Sequence, residues 1–228
     1  MNTRIYLFTG FLDSGKSSFI NDTITTTDFC QNEKTVLIVS EQGEKEYSQE
    51  EIESFNCDIV YIHKEDEFNK EFLQELENKY HPTQVLMEVN GMYNVDHIVE
   101  CEKPDDWEVV QVLTTINAKT FALYIQNMRS LLYQHVKYSD LLIFNRIDAS
   151  MKKSFLRNNI KAINSTCQII YEKEDGTVNT LEDDELPFDI SQDEIHVLDH
   201  DFGIFCMDAL DHPDKYNQKK VTLRGKFI

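Results

Sequence analysis

Eight consecutive residues, Gly10-Phe-Leu-Asp-Ser-Gly15-Lys16-Ser17, place two glycines, an ammonium and a hydroxyl in the pattern G-x-x-x-x-G-K-[ST]. The glycines let the backbone curl so that successive N–H groups face phosphate oxygens. Lys16 adds a point charge at the β and γ phosphates, and the Ser17 hydroxyl is a ligand for Mg²⁺. A helix beginning near Lys16 turns the positive end of its dipole to the same spot. Asp13, Ser14, Gly15, Lys16, Ser17 and Ser18 are therefore the candidate nucleotide-phosphate residues. Asp13 is out of keeping with them, because a carboxylate there repels phosphate unless it points outward or meets a metal. An outward, solvated side chain and a role near the γ-phosphate or a second metal both stay open.

Two more short motifs stand downstream at the ends of apolar runs. In Asn145-Arg-Ile-Asp148, the carboxylate of Asp148 can accept from the N1–H and the exocyclic amine of guanine in a charge-assisted pair. Adenine offers neither donor, and sites of this kind reject the wrong ligand by factors as large as ~10⁴. The aliphatic stem and planar head of Arg146 can cover the base. Leu86-Met-Glu88-Val-Asn-Gly91 is an apolar run that ends in Glu-x-x-Gly.

These residues need a scaffold that brings them to one edge. Residues 4–9, 34–40, 84–89, 108–113, 140–144 and 167–171 are short runs rich in β-formers. Between them, helical periodicity covers 68–80 (Phe72, Leu76), 120–138 as one long helix, and 154–163 (Phe155, Ile160, Ile163). Continuous apolar strands alternating with helices predict an α/β fold, a mostly parallel sheet covered on both faces in three layers. A P-loop nucleotide-binding domain is expected over residues 1–175. Residues 176–228 are expected to form an acidic loop, with Glu182 to Glu185 on the surface, and a short C-terminal β extension from strands at 194–198 and 221–227. The last strand reads as an edge strand or the start of a small β unit that the chain does not complete.

With the P-loop, the Glu-x-x-Gly at Glu88–Gly91 and the Asn-x-x-Asp at Asn145–Asp148, the opening Gly-Phe-Leu-x-x-Gly-Lys resembles the CobW-like family of P-loop GTPases, which includes metallochaperones. Ser40-Glu41-Gln-Gly-Glu44 is similar to that family's Asn-Glu-x-Gly-Glu, its switch I segment. The resemblance runs over about residues 4–172. It implies GTP and GDP as ligands, Mg²⁺ as cofactor on Ser17 and Glu88, and Zn²⁺ or another transition metal as cargo. It also implies a catalytic set of Lys16, Glu41, Glu88 and Gly91, in which Glu41 or Glu44 orients the attacking water or binds a second metal. The partners implied are a metal-receiving protein or a membrane permease, with a second copy of the chain as a further candidate. The chain departs from the pattern in two places. The family's Cys-x-Cys-Cys is absent between Glu44 and Glu88; Cys57 and His63 stand there, on one face of an expected strand. The expected Val-Asp-Ala is Ile116-Asn117-Ala118.

Composition bounds the partners. The 228 residues carry a formal charge of −19, which argues against a sequence-independent grip on nucleic acid or anionic lipid. The excess is uneven: residues 1–40 and 104–170 together carry +2, residues 41–103 carry −12 and residues 171–228 carry −9. The segments expected to build the phosphate and base site are therefore not the acidic ones. No apolar run reaches the ~18–20 residues of a membrane span. Five dispersed cysteines without a CxxC read as reduced thiols in a cytoplasmic protein.

The expected activity is Mg²⁺-dependent GTP binding and slow GTP hydrolysis, a switch in metal-ion homeostasis or metal delivery, slow because no arginine is placed as a finger. A nucleotide-gated, essentially non-catalytic module that docks a partner protein is the alternative. A small-molecule kinase ranks last, since its lid needs clustered arginines and the four before Arg224 are scattered.

Overall fold

A computed structural model describes residues 2–41, 47–148, 150–179, 186–211 and 213–223. Two compact units divide the chain: residues 1–151 with 156–178, and residues 152–155 with 179–228.

The larger unit is built on strands β1 (Thr3–Thr9), β2 (Thr35–Val39), β3 (Cys57–Tyr61), β4 (Gln84–Glu88), β5 (Trp107–Asn117), β6 (Leu141–Ile147) and β7 (Gln168–Lys173). They lie in the order β3-β2-β4-β1-β5-β6-β7, and all their pairings are parallel. A two-residue strand, β8 (Val178–Asn179), follows β7 at the edge. Parallel neighbours require crossover helices, and burial on both faces explains why the strands read as unbroken apolar runs. Ile5, Leu7, Val36, Ile38, Val85 and Met87 meet Leu73 and Leu76 of α3 (Lys70–Tyr80) and Ile98 of α4 (Val95–Glu100). The residues between them, Phe8, Leu37, Val39 and Leu86, meet Ile20 and Ile24 of α1 (Lys16–Thr26) and Ile52 of α2 (Gln49–Glu53). The period of two along each strand thus becomes two separate cores, one under each helical layer.

Local chemistry sets the helix ends. Asn69 accepts from the Phe72 N–H at 2.9 Å and starts α3, and His81 in the left-handed region closes it. Ser48 and Asn94 cap α2 and α4 in the same way. The expected helix over 120–138 is instead two, α5 (Phe121–Asn127) and α6 (Arg129–Lys137), broken at Met128 with φ −134° and ψ 38°. In α7 (Lys153–Lys161) the buried pair is Leu156 and Ile160, four apart, while Phe155 is 46% exposed. Of the expected face, Ile160 is buried, while the place of Phe155 is taken by its neighbour Leu156. β3 ends at Tyr61, so the strand that would align His63 with Cys57 stops short of it. Cys57 is buried and His63 exposed.

The smaller unit holds β9 (Glu194–Val197) and β10 (Lys220–Leu223), which pair in parallel. Between them runs α8 (Phe202–Asp211), a helix absent from the expected β extension. Leu186, Phe188, Ile195 and Val197 form its core, with Phe205 edge-on to Phe188 and Tyr216. The acidic run Glu182 to Glu185, the expected site residue Glu44 and the chain beyond Leu223 lie outside the described residues. Among the described residues no helix is long and apolar enough to cross a membrane.

Candidate functional site

Because β1, β2, β4, β6 and β7 are parallel, their carboxyl ends share one rim of the sheet, the place where open α/β sheets bind ligands. The eight-residue loop leaves β1 there, between the ends of β4 and β5. Its first glycine is obligatory. Gly10 has φ 128°, and a Cβ on it would lie 2.2 Å from the Thr115 carbonyl oxygen. Gly15 opens α1 with φ 94°, and a Cβ there would stand 2.7 Å from Asn145 Nδ2.

The loop curls around the Lys16 side chain, which is 2% exposed. Lys16 Nζ donates to the Gly10 and Phe11 carbonyls, each at 2.9 Å, and pairs with Glu41 Oε2 at 2.6 Å. The other oxygen of Glu41 accepts from the Gly91 N–H at 3.1 Å. Ser14 Oγ lies 2.8 Å from Thr115 Oγ1, which ties the loop to β5. Asp13 is exposed, with φ 57°, and turns its carbonyl rather than its carboxylate to a partner. Ser18 is exposed on the first turn of α1.

Glu88 ends β4 fully buried, and both carboxylate oxygens are used. Ser17 Oγ donates to Oε1 at 2.6 Å and Tyr47 Oη to Oε2 at 2.7 Å. Burial pushes its carboxyl pKa up, against the pull of those two hydrogen bonds and of the Lys16 charge. A buried carboxylate beside a hydroxyl is a set of hard oxygen donors that suits Mg²⁺, and a cation would relieve the desolvation. Ser17 and Glu88 thus fit the ion. Ser40 fastens the end of β2 to the end of β4: its N–H and hydroxyl both donate to the Glu88 carbonyl, and its oxygens accept from Asn90.

Gly91 packs on the loop so closely that a Cβ would meet the Gly10 oxygen at 2.8 Å. Its carbonyl lies 3.1 Å from Nε2 of His135, a buried residue of α6. Since a carbonyl only accepts, the proton sits on Nε2. Nδ1 is buried without a partner, and burial lowers the pKa to about 4. His135 lies edge-on to Phe11, whose ring stacks on Tyr124 of α5 at 3.8 Å between centroids.

On the other flank, Asn145 Nδ2 donates to the Ser14 carbonyl at 2.6 Å, and Arg146 Nη1 to the Asp13 carbonyl at 2.8 Å. Arg146 has φ 56°, a left-handed bend that interrupts the register of β6 with β7. Asn145 Oδ1 is buried and without a partner, an acceptor that awaits a donor. Asn145 and Arg146 line a cavity of about 200 Å³ with Gly15, Phe19, Asp22 and Lys173. Asp148 is exposed and is not among the lining residues. Its Oδ1 accepts from the Ser150 hydroxyl and N–H, which hold its carboxyl below the usual range.

The structure therefore gathers Lys16, Ser17, Glu41, Glu88 and Gly91 at one mouth and Asn145 and Arg146 at its side, and leaves Asp148 turned away. Tyr47 and His135 escaped the sequence reading, and Ser40 entered it only as the first residue of the Ser40–Glu44 segment, without a role. Nothing in the spacing marks Tyr47, and His135 sits inside an apolar helical pattern where a buried histidine passes unnoticed. Among the described residues no three His, Cys, Asp or Glu side chains gather as a metal site.

Among the solved structures that share this fold are two at low sequence identity. One is the hydrogenase maturation factor HypB from Archaeoglobus fulgidus, with 16% identity, TM-score 0.54, and coverage of 75% of this chain and 81% of that one. The other is the Zn(II)-bound YjiA GTPase from E. coli, with 16% identity and TM-score 0.57. There 80% of this chain matches, and it spans 60% of the YjiA chain. At such identities the likeness speaks for the fold. No curated protein matches the chain. The model of the CobW/HypB/UreG nucleotide-binding domain matches residues 4–171, which hold the loop, Glu88–Gly91 and Asn145–Asp148 alike. The chain belongs to the CobW/HypB/UreG family through its nucleotide-binding domain.

Proposed function

We propose that this chain is a Mg²⁺-dependent GTP-binding and GTP-hydrolysing protein that acts as a slow switch in metal-ion homeostasis or metal delivery. One observation carries the reading: Lys16, Ser17, Glu88 and Gly91, from two different strand ends, converge on a single loop mouth. The loop N–H groups and Lys16 would hold the phosphates, and Ser17 with Glu88 would hold Mg²⁺. When bound, that ion neutralises charge developing on the phosphates. Gly91 would bond the γ-phosphate through its N–H. Glu41, once free of Lys16, or Glu44 would orient the attacking water. The unpartnered Asn145 Oδ1 supports a base beside Ser14. Asp148 would read guanine after turning off Ser150, and Arg146 would cover the base.

The cargo half of the proposal, Zn²⁺ or another transition metal passed to a receiving protein or permease, rests on the family alone. A cytoplasmic setting agrees with Cys30, Cys57 and Cys167, which are buried and free. The test is calorimetric titration with GTP, GDP and ATP in Mg²⁺, with and without Zn²⁺. GTP should bind at least tenfold tighter than ATP. Equal affinity overturns the guanine assignment, and indifference to Zn²⁺ overturns the link to zinc.

A further inference from the structure

An ammonium has three N–H donors and no more. In Lys16 two serve the Gly10 and Phe11 carbonyls, and the third meets Glu41 Oε2 at 2.6 Å. The second oxygen of the same carboxylate takes the Gly91 N–H at 3.1 Å. One anion, with one oxygen for each donor, therefore bridges the two groups that a γ-phosphate would bridge in the reading above. The pair is dry: Lys16 is 2% exposed and the Glu41 side chain 8%. It is also pre-aimed, because Ser40, the residue before Glu41, is bonded to the Glu88 carbonyl and to Asn90.

We propose that Glu41 is a tethered surrogate of the γ-phosphate, and that it sets the preference of the site between nucleoside diphosphates and triphosphates. The proposal rests on the reading of this mouth as a nucleotide site. A diphosphate needs the loop N–H groups and Lys16 but not the Gly91 N–H, so Lys16 can turn a donor from the Gly10 or Phe11 carbonyl to the β-phosphate while Glu41 keeps the bridge to Gly91. A triphosphate brings a second anion to the same two donors, and two anions cannot share them. It binds only to the fraction of molecules in which Glu41 has swung away, so its apparent affinity falls in proportion to that fraction. A bridge closed in nine of ten molecules weakens triphosphate binding about tenfold, and one closed in ninety-nine of a hundred about a hundredfold. The carboxylate also occupies the lysine between turnovers, so that no unpaired ammonium stays buried.

The experiment compares GDP with the non-hydrolysable triphosphate GMPPNP, both in Mg²⁺, on the full chain and on the variants Glu41→Ala and Glu41→Gln. Alanine removes the bridge. Glutamine keeps the shape and a carbonyl for Gly91 but loses the charge that pairs with Lys16. Both should raise the affinity for GMPPNP relative to GDP by about tenfold or more, while circular dichroism reports that each variant is folded. Should alanine abolish binding of both nucleotides, the glutamine variant decides. An unchanged or reduced ratio overturns the surrogate role and leaves the nucleotide site standing. Failure of the unsubstituted chain to bind either nucleotide overturns the site reading, and this proposal with it.

Discussion

His135 Nε2 donates to the Gly91 carbonyl at 3.1 Å from inside the protein, while Nδ1 of the same ring is buried without a partner. The residue that offers its N–H to Glu41 is thus held from behind by a side chain that must stay neutral. Its pKa is lowered to about 4, first by burial and also by the charge of Lys16. The unfolded chain takes up the proton near pH 6.5, whereas the folded chain resists it until about pH 4. This contribution is therefore complete above pH 6.5 and is lost as pH falls towards 4. Between pH 7 and pH 5 it should amount to about 2 kcal/mol. Urea unfolding at the two pH values should show that loss in the unsubstituted chain. His135→Gln, which can keep a donor to Gly91 but cannot titrate, should show less of it. Equal losses in both would contradict the assignment.

Tyr47 has a hydroxyl held as a donor: burial and the neighbouring Glu88 charge push its pKa far up. Tyr47→Phe leaves one oxygen of a buried carboxylate without its hydrogen bond, a cost of about 1–3 kcal/mol. Denaturant titration should show that loss, and Mg²⁺-dependent GDP binding should weaken by about 10- to 100-fold, the scale of losing a group that orients a metal ligand. Unchanged Mg²⁺ dependence would separate Tyr47 from the ion.

Gly10→Ala would press a methyl group to within 2.2 Å of the Thr115 carbonyl oxygen, at a φ that only glycine adopts readily. Overpacking of this kind costs about 1–3 kcal/mol, and here the displaced atoms are the loop itself. Nucleotide binding should vanish in calorimetry while circular dichroism still reports a folded α/β protein. Binding within threefold of the parent would show that the loop has another way to close.

Asp148→Asn keeps the shape and removes the charge that would pair with guanine. Preference for GTP over ATP, measured by competition, should fall by at least tenfold. A preserved preference would mean that the carboxylate stays on Ser150 and that the cavity edge at Lys173 reads the base.

Six of the seven parallel strands and the loop were legible because burial on both faces writes a continuous apolar run, and because a phosphate cradle tolerates few residue types. Glu88 and Gly91 were legible by their spacing after such a run. Less was visible where two causes leave the same trace. The apolar period from Tyr124 through Met128 to Leu132 continues across the break between α5 and α6, so nothing in it signals two helices. Phe155 and Leu156 are neighbours, and only packing tells which of them enters the core. Phe202-Gly-Ile-Phe-Cys-Met207 is apolar without a period, which hid α8. The bond from Tyr47 to Glu88 spans 41 residues and depends on where the chain returns.

The loop that would read the base is hydrogen-bonded to the loop that would hold the phosphates, through Asn145 to Ser14 and Arg146 to Asp13. Both bonds end on backbone carbonyls, which no substitution in the phosphate loop can delete. Whoever tries to retune the base preference by transplanting residues 145–148 alone, without Asn145 and Arg146, would strip two donors from a loop 131 and 133 residues away in the chain. The exchangeable part is therefore a cassette of two segments, and a donor protein has to supply both.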